Sequence, residues 1–171
     1  MNWQKNLGFT LIELMVALAA GAILLSGVAM SYSAIKSTLQ TAQDIELAQE
    51  VIRYTNQVLT RSIKQATTDP QVLNNGKELL LQQAANTVSC TGVQMVLAYT
   101  EHYVQDGIYL TCDTGSGAVK LVKGLSSIDF AYNSLLTSIT VTPTNAVAPF
   151  ENGVRIDISA SQLVLVNAYG S

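Results

Sequence analysis

Charge is scarce in this sequence, and the shortage is uneven. Only 12% of the 171 residues are Asp, Glu, Lys or Arg, about half the usual share of a soluble protein. The deficit sits at the front, where Glu13 is the one charged side chain between Phe9 and Ile35. Proline is nearly missing as well. Pro70, Pro143 and Pro149 are the only three, so nothing before Pro70 forbids an unbroken helix. Histidine occurs once and cysteine twice, with no CxxC pair and no His-bearing ligand pattern, which removes the usual spacings of a zinc site. Positive charge is also short. The net charge is −3, and without Lys5 eight basic side chains face twelve acidic ones. That balance argues against a surface built to neutralise phosphates, and nucleic acid is not expected as a partner.

What fills the front is apolar. A hydrocarbon core roughly 30 Å thick needs about 20 helical residues to cross, and residues 9–35 are long enough. Ahead of them stands MNWQKNLG, whose only charged side chain is Lys5; this weakly favours an amino terminus in the cytosol and export of the remainder. After Ile35 the pattern turns amphipathic. Ile35, Leu39, Ala42, Ile45, Ala48, Ile52, Leu59, Ile63 and Ala66 recur at helical spacings, while Lys36, Gln43, Glu50, Arg53 and Arg61 fall elsewhere. Thr67, Thr68, Asp69 and Pro70 supply a stop. A helix of nearly 60 residues is roughly 90 Å long. Its first half is therefore expected to stand clear of a globular core as a membrane anchor or a stalk.

Beyond Pro70 the period falls toward two. VQMVLAYTEHYV and GIYLTCD flank Gln105-Asp106-Gly107 and read as a hairpin. AVKLVKG, SSIDFAYN, LTSITVTP, GVRIDISAS and QLVLVN follow, separated by Gly, Asn, Ser and Pro. Ile128, Phe130 and Tyr132 alternate with Asp129 and Ala131, and Val154, Ile156 and Ile158 with Arg155 and Asp157, so each of these strands has one buried and one wet face. Residues 143–153 read as an exposed loop. The expected class is α+β, with a long amino-terminal helix, hydrophobic in its first half and amphipathic in its second, packed on an antiparallel sheet. Past a membrane, Cys90 and Cys112 can form a disulfide, whose loop closure contributes about 3 kcal/mol; two free buried thiols are the alternative.

Candidate chemistry is thin. His102, between Glu101 and Tyr103, has no partner in the sequence pattern and reads as a surface or satisfied side chain. No serine sits in a nucleophile elbow, no Gly-rich loop precedes a helix with a lysine, and the acids after Pro70 lack a calcium-loop spacing. No enzyme, cofactor or metal site is expected. Tyr99, Tyr103, Tyr109 and Tyr132 are accounted for mainly by strand packing. Gly21 and Gly27, six apart in the span, can allow close helix approach.

Glu13 is the exception. A carboxyl group inside a span is costly unless it is paired, so such residues default to a functional reading; the rival is that Glu13, near the start of the span, reaches the headgroups. Gly8 followed by FTLIELMVAL resembles the class III leader of type IV prepilins and type II secretion pseudopilins. The resemblance implies cleavage of Gly8-Phe9 by a membrane-embedded prepilin peptidase and methylation of the new amine of Phe9. Glu13 then becomes the acid five residues into the mature chain, where the amine of a neighbouring subunit can pair with it inside a helix bundle. Such a pair sets the register of assembly. An ordinary secretory signal, with ALA at residues 17–19 as its cleavage site, is opposed by the apolar run continuing through ILLSGVAM and by the acid itself.

Further along, AQEVIRYTNQVLTRSIKQA and TEHYVQDGIYLTCDTGSGAVKLVKGLSSIDFAYN are similar in order to PilW-type minor pilins and J-type minor pseudopilins. The domains implied are a leader over residues 1–8, a transmembrane or filament-core helix over 9–35 and a periplasmic pilin domain over 36–171. Met30 stands where major pilins usually carry a helix-breaking proline. The resemblance implies a minor pilin that primes a type IV pilus or sits near its tip. A minor pseudopilin of a type II secretion system is the alternative, and an adhesin or DNA-uptake pilin the third reading. Implied partners are other minor and major pilins or pseudopilins, prepilin peptidase, the inner-membrane assembly platform and inner-membrane lipid. The implied location is a single inner-membrane pass, amino terminus inside and body periplasmic, then a pilus or pseudopilus fibre.

Overall fold

A computed structural model describes residues 10–134 and 136–159. The leader, the Gly8-Phe9 bond and the QLVLVN segment lie outside the described residues. Two compact units divide the chain, Met1–Ala42 and Gln43–Ser171.

One helix, α1 (Leu11–Gln65), runs without a break, as the absence of proline allows. In its first unit the side chains are exposed almost throughout, Ile23 at 73% and Leu39 at 58%. Burial begins only at Ala48 and continues through Val51, Thr55, Val58, Leu59, Ser62 and Ile63. The amphipathic face traced from Ile35 thus reaches the core later than its spacing suggests, and it includes two hydroxyl residues. Thr55 and Ser62 occupy the same stripe because position on the helix, not polarity, decides what faces the sheet.

Past Gln65 the chain passes straight onto the sheet. Ala66 bridges to Gln83, and the Thr67 N–H donates to the Gln82 carbonyl at 2.9 Å. Strands β1 (Gln71–Leu73), β2 (Glu78–Gln83), β3 (Thr87–Val88), β4 (Gln94–Met95) and β5 (Tyr99–Asp106) come first, then β6 (Tyr109–Asp113), β7 (Ala118–Lys123), β8 (Leu125–Asn133), β9 (Leu136–Pro143) and β10 (Val154–Ile158). A single antiparallel sheet is what the strand pattern suggests. The structure has two, ordered β1-β2-β5-β6-β7 and β10-β9-β8, with β3 and β4 as a separate small hairpin. Their pairings are antiparallel throughout.

Gly124 makes the division. With φ +109 it adopts a backbone that L side chains avoid, and a Cβ there would come 3.0 Å from the Val51 side chain. Its N–H and that of Leu125 both donate to the Ile108 carbonyl, at 2.8 and 3.0 Å, so the chain leaves β7 and starts a second sheet.

The expected hairpin is present, but it turns at Gly107 and Ile108, and its first strand starts at Tyr99 rather than Val93. Residues 93–98 are diverted because Ser89 and Val93 pair through their backbones across a tight turn at Gly92. β8 and β9 fall where expected, and 144–153 is loop. The core lies where α1 meets both sheets, with Leu59, Ile63, Leu79, Leu81, Leu110, Ile128 and Ile139 all fully buried. Each such side chain contributes roughly 2 kcal/mol by area removed from water.

Candidate functional site

Two places carry polar groups in surroundings that make them costly. The first is the start of α1. Thr10 and Glu13 bind each other reciprocally: the Thr10 N–H and hydroxyl both donate to Glu13 Oε2 at 3.1 Å, and the Glu13 N–H donates to Thr10 Oγ1 at 3.4 Å. This is a capping box, in which two of the helix's unpaired N–H groups find side-chain acceptors. Thr10 escaped the sequence reading, although Thr-x-x-Glu ahead of an apolar run was its signal. In this isolated chain Glu13 is exposed and has a local partner.

Along the same helix four hydroxyls bond back to their own backbone. Ser26 donates to the Ile23 carbonyl, Ser31 to Gly27, Thr38 to Ala34 and Thr41 to Ser37, at 2.7 to 3.1 Å. Hydroxyls folded back in this way present little unsatisfied polarity to lipid or to a neighbouring helix. A Cβ at Gly21 or Gly27 would meet nothing within 4 Å. No contact among the described residues therefore requires glycine at either position. The helix is long and apolar enough to cross a membrane.

The second place is the interior beside the disulfide. Cys90 and Cys112 are bonded, with their Cα atoms 6.5 Å apart. Next to them Glu101, on β5, is fully buried. One of its oxygens accepts the Cys90 N–H at 2.5 Å; the other accepts Gln83 Nε2 at 3.2 Å and the Tyr103 hydroxyl at 3.1 Å. Because Tyr103 spends its single proton on Glu101, Ser62 must donate across the 2.7 Å contact with Tyr103. Gln83 also donates to the Ser62 carbonyl at 2.9 Å. The network ties α1, β2, β5 and the Cys90 turn together. Both sulfurs and the Glu101 carboxyl lie within 4.8 Å of one another, and the sulfurs are committed to their covalent bond.

Burial, then the Glu101 carboxyl, pushes the Tyr103 hydroxyl well above its ordinary 10.0. The folded value exceeds the unfolded one, so the stability it represents is complete below about pH 10 and is lost as pH rises toward the folded value. Tyr132 adds to the loss. Burial and a 2.7 Å hydrogen bond to Asp69 hold it up at about 12. Urea unfolding midpoints are expected to decline above about pH 10, and Tyr103→Phe to make that decline shallower.

His102 does not join this network. Its Nε2 lies 3.0 Å from Glu78 Oε2 at the partly exposed surface, the satisfied side chain its isolation suggests. Glu101 was overlooked in the sequence because the alternation of β5 sets it among Tyr99 and Tyr103 on the inner face, a place where an acid is rare.

Residues 3–29 match the family model of the prokaryotic N-terminal methylation motif. The chain is type IV pilin-like or pseudopilin-like. Its leader implies processing by prepilin peptidase and assembly with other pilins, and its α+β layout of one long helix on antiparallel sheets is pilin-like. The match covers the amino-terminal part alone, and no curated protein and no solved structure matches the chain. Proteins of the pilin type are structural rather than enzymatic. The apolar helix of this pilin-like chain and its motif are compatible with inner-membrane anchoring and incorporation into a fibre.

Proposed function

We propose that this chain is a minor pilin: a non-enzymatic subunit cut at Gly8-Phe9, methylated on Phe9 and built through its amino-terminal helix into a type IV pilus, where it primes assembly or sits near the tip. The observation that carries the reading is the methylation motif over residues 3–29, with Glu13 as the one charged side chain of the span. In the free subunit Thr10 caps Glu13. During assembly the new amine of a neighbouring subunit replaces Thr10, because two opposite charges attract more strongly in a dry bundle than a hydroxyl and a carboxyl do. Minor rather than major status is supported by α1 running unbroken through Met30, the place of the proline that bends major subunits. The subunit works in the inner membrane and then in the fibre, with the assembly platform and other pilins as partners.

Intact mass of the protein purified from cell envelopes tests the reading. A chain starting at Phe9 and one methyl group heavier than the unmodified sequence is expected. A chain starting at Met1 in cells with active prepilin peptidase overturns the reading, and a start near Ala20 assigns an ordinary secretory signal instead.

A further inference from the structure

A buried carboxylate is a costly way to hold three donors, since a neutral oxygen accepts hydrogen bonds without a charge to desolvate. Glu101 is fully buried all the same. The Cys90 N–H, Gln83 Nε2 and the Tyr103 hydroxyl donate to it. This is the acceptor-only pattern of a deprotonated carboxyl, whose two oxygens offer about four lone-pair sites. One site remains for a further proton. Cys90 Sγ, Cys112 Sγ and a Glu101 oxygen all lie within 4.8 Å of one another. That separation is within reach through one water, and opening the S–S bond frees the Cys112 side chain to turn toward the carboxylate.

The two sulfurs are not equivalent. Cys90 lines a cavity of about 330 Å³ with Thr91, Gly92 and Arg61, and Arg61 Nη2 donates to the adjoining Ser89 carbonyl at 2.8 Å. Cys112 stands opposite Tyr103 in the β5–β6 pairing and is fully buried. A reagent entering the cavity therefore meets Cys90 first. In thiol–disulfide exchange the attacking species is the thiolate, and a thiol shut away from water ionises reluctantly. Cys112 needs a local proton acceptor.

We propose that Glu101 is a built-in base for closing the Cys90–Cys112 bond, taking the Cys112 thiol proton once Cys90 has captured an external disulfide. The Cys90 thiolate attacks one sulfur of that disulfide, forming a mixed disulfide and releasing a first thiolate. Cys112 then attacks Cys90 Sγ while its proton passes to the Glu101 carboxylate. The bond between the two cysteines forms, the mixed bond breaks, and the second thiolate leaves. Water in the cavity or the departing thiolate takes the proton from Glu101. Two protein thiols are oxidised and one external disulfide is reduced to two thiols. None of this depends on the assembly reading.

Around Glu101 stand Tyr99 and Tyr103 on its own strand, Arg61 on α1, the neutral Gln83 on β2 and the two cysteines. Burial holds both tyrosine hydroxyls above their ordinary 10.0, so near neutral pH neither exchanges its proton with the thiols.

The test reduces the full-length, detergent-solubilised chain and adds an excess of an aromatic disulfide whose thiolate is coloured. Colour is released once when Cys90 is captured and once when Cys112 closes; the second release, independent of reagent concentration, times the closing step. In the parent its rate is expected to change less than about threefold between roughly pH 6 and 8, because the proton has a local acceptor. Glu101→Gln is expected to slow it at least about tenfold near pH 6 and to make it rise about tenfold per pH unit, since Cys112 must then ionise unaided. Tyr103→Phe loosens the same network but keeps the carboxylate, and its profile is expected to stay shallow. A purely structural role for Glu101 would change the rate without steepening the profile. The proposal is overturned if the parent profile is as steep as that of Glu101→Gln, the result also given by a reduced chain that fails to bring Glu101 to Cys112. It is overturned as well if Tyr103→Phe is as steep as Glu101→Gln, or if Glu101→Gln stays shallow. Cys112→Ser is expected to release colour once and fast, Cys90→Ser slowly; equal speeds would overturn the order of the two sulfurs and the role given to Cys112.

Discussion

Leucine in place of Glu13 is expected to leave membrane insertion and leader removal intact while cutting the subunit's share of sheared filaments at least about tenfold. A span without its acid is easier to insert, since an acid in mid-span is the costly residue. What is lost, on the proposed reading, is the group that pairs with a neighbour's amine. Glu13 also caps its own helix through Thr10, so a second variant separates the two roles. Thr10→Val removes the hydroxyl partner at a cost of about 1 kcal/mol to the helix start but keeps the acid, and it is expected to enter filaments nearly as well as the parent. Equal incorporation of Glu13→Leu and the parent would remove the electrostatic account of assembly. A loss shared equally by Thr10→Val would reduce Glu13 to a helix cap.

Glu101→Leu is expected to destabilise the globular part by about 4 kcal/mol. The two side chains are close in volume, so the site still fills. Leucine accepts nothing, however: the Cys90 N–H is left without an acceptor in a fully buried place, while the Gln83 amide is left with the Ser62 carbonyl alone and the Tyr103 hydroxyl with Ser62 alone. Each stranded donor costs roughly 1 to 3 kcal/mol, against a total stability of about 5 to 15 for an ordinary domain. Glu101→Gln keeps one oxygen in position and is expected to cost about half as much. Chemical unfolding of the detergent-solubilised chain measures both, with the disulfide checked by mobility without reductant. Equal stability of Glu101→Leu and the parent would mean that the network contributes nothing net. That outcome is known for buried polar groups replaced by apolar ones of matching shape.

Much of this was legible along the chain because it is local. The unbroken helix follows from the missing prolines, and the strands from Leu125 to Pro143 from strict alternation and clear stops. β1 and β2 were not legible. ELLLQQ has three apolar residues in a row, and Leu79 and Leu81 are buried while Leu80 is not, so its period is visible only once one face is covered. The Thr10-Glu13 box could have been found, since its spacing is local. The Glu101 network could not, because its members come from positions 62, 83, 90, 101 and 103 and meet only when α1 lies across β2 and β5.

The sequence by itself determined the elements whose cause is local: the apolar span with its single acid, the leader motif, the α+β class and the two cysteines. Tertiary structure decided what depends on distant segments meeting. It divided the strands into two sheets at Gly124, closed Cys90 on Cys112 and buried Glu101 among three donors. The reason is physical. Helical and strand periods are properties of neighbouring residues, whereas sheet order and polar satisfaction depend on packing between residues far apart in the chain.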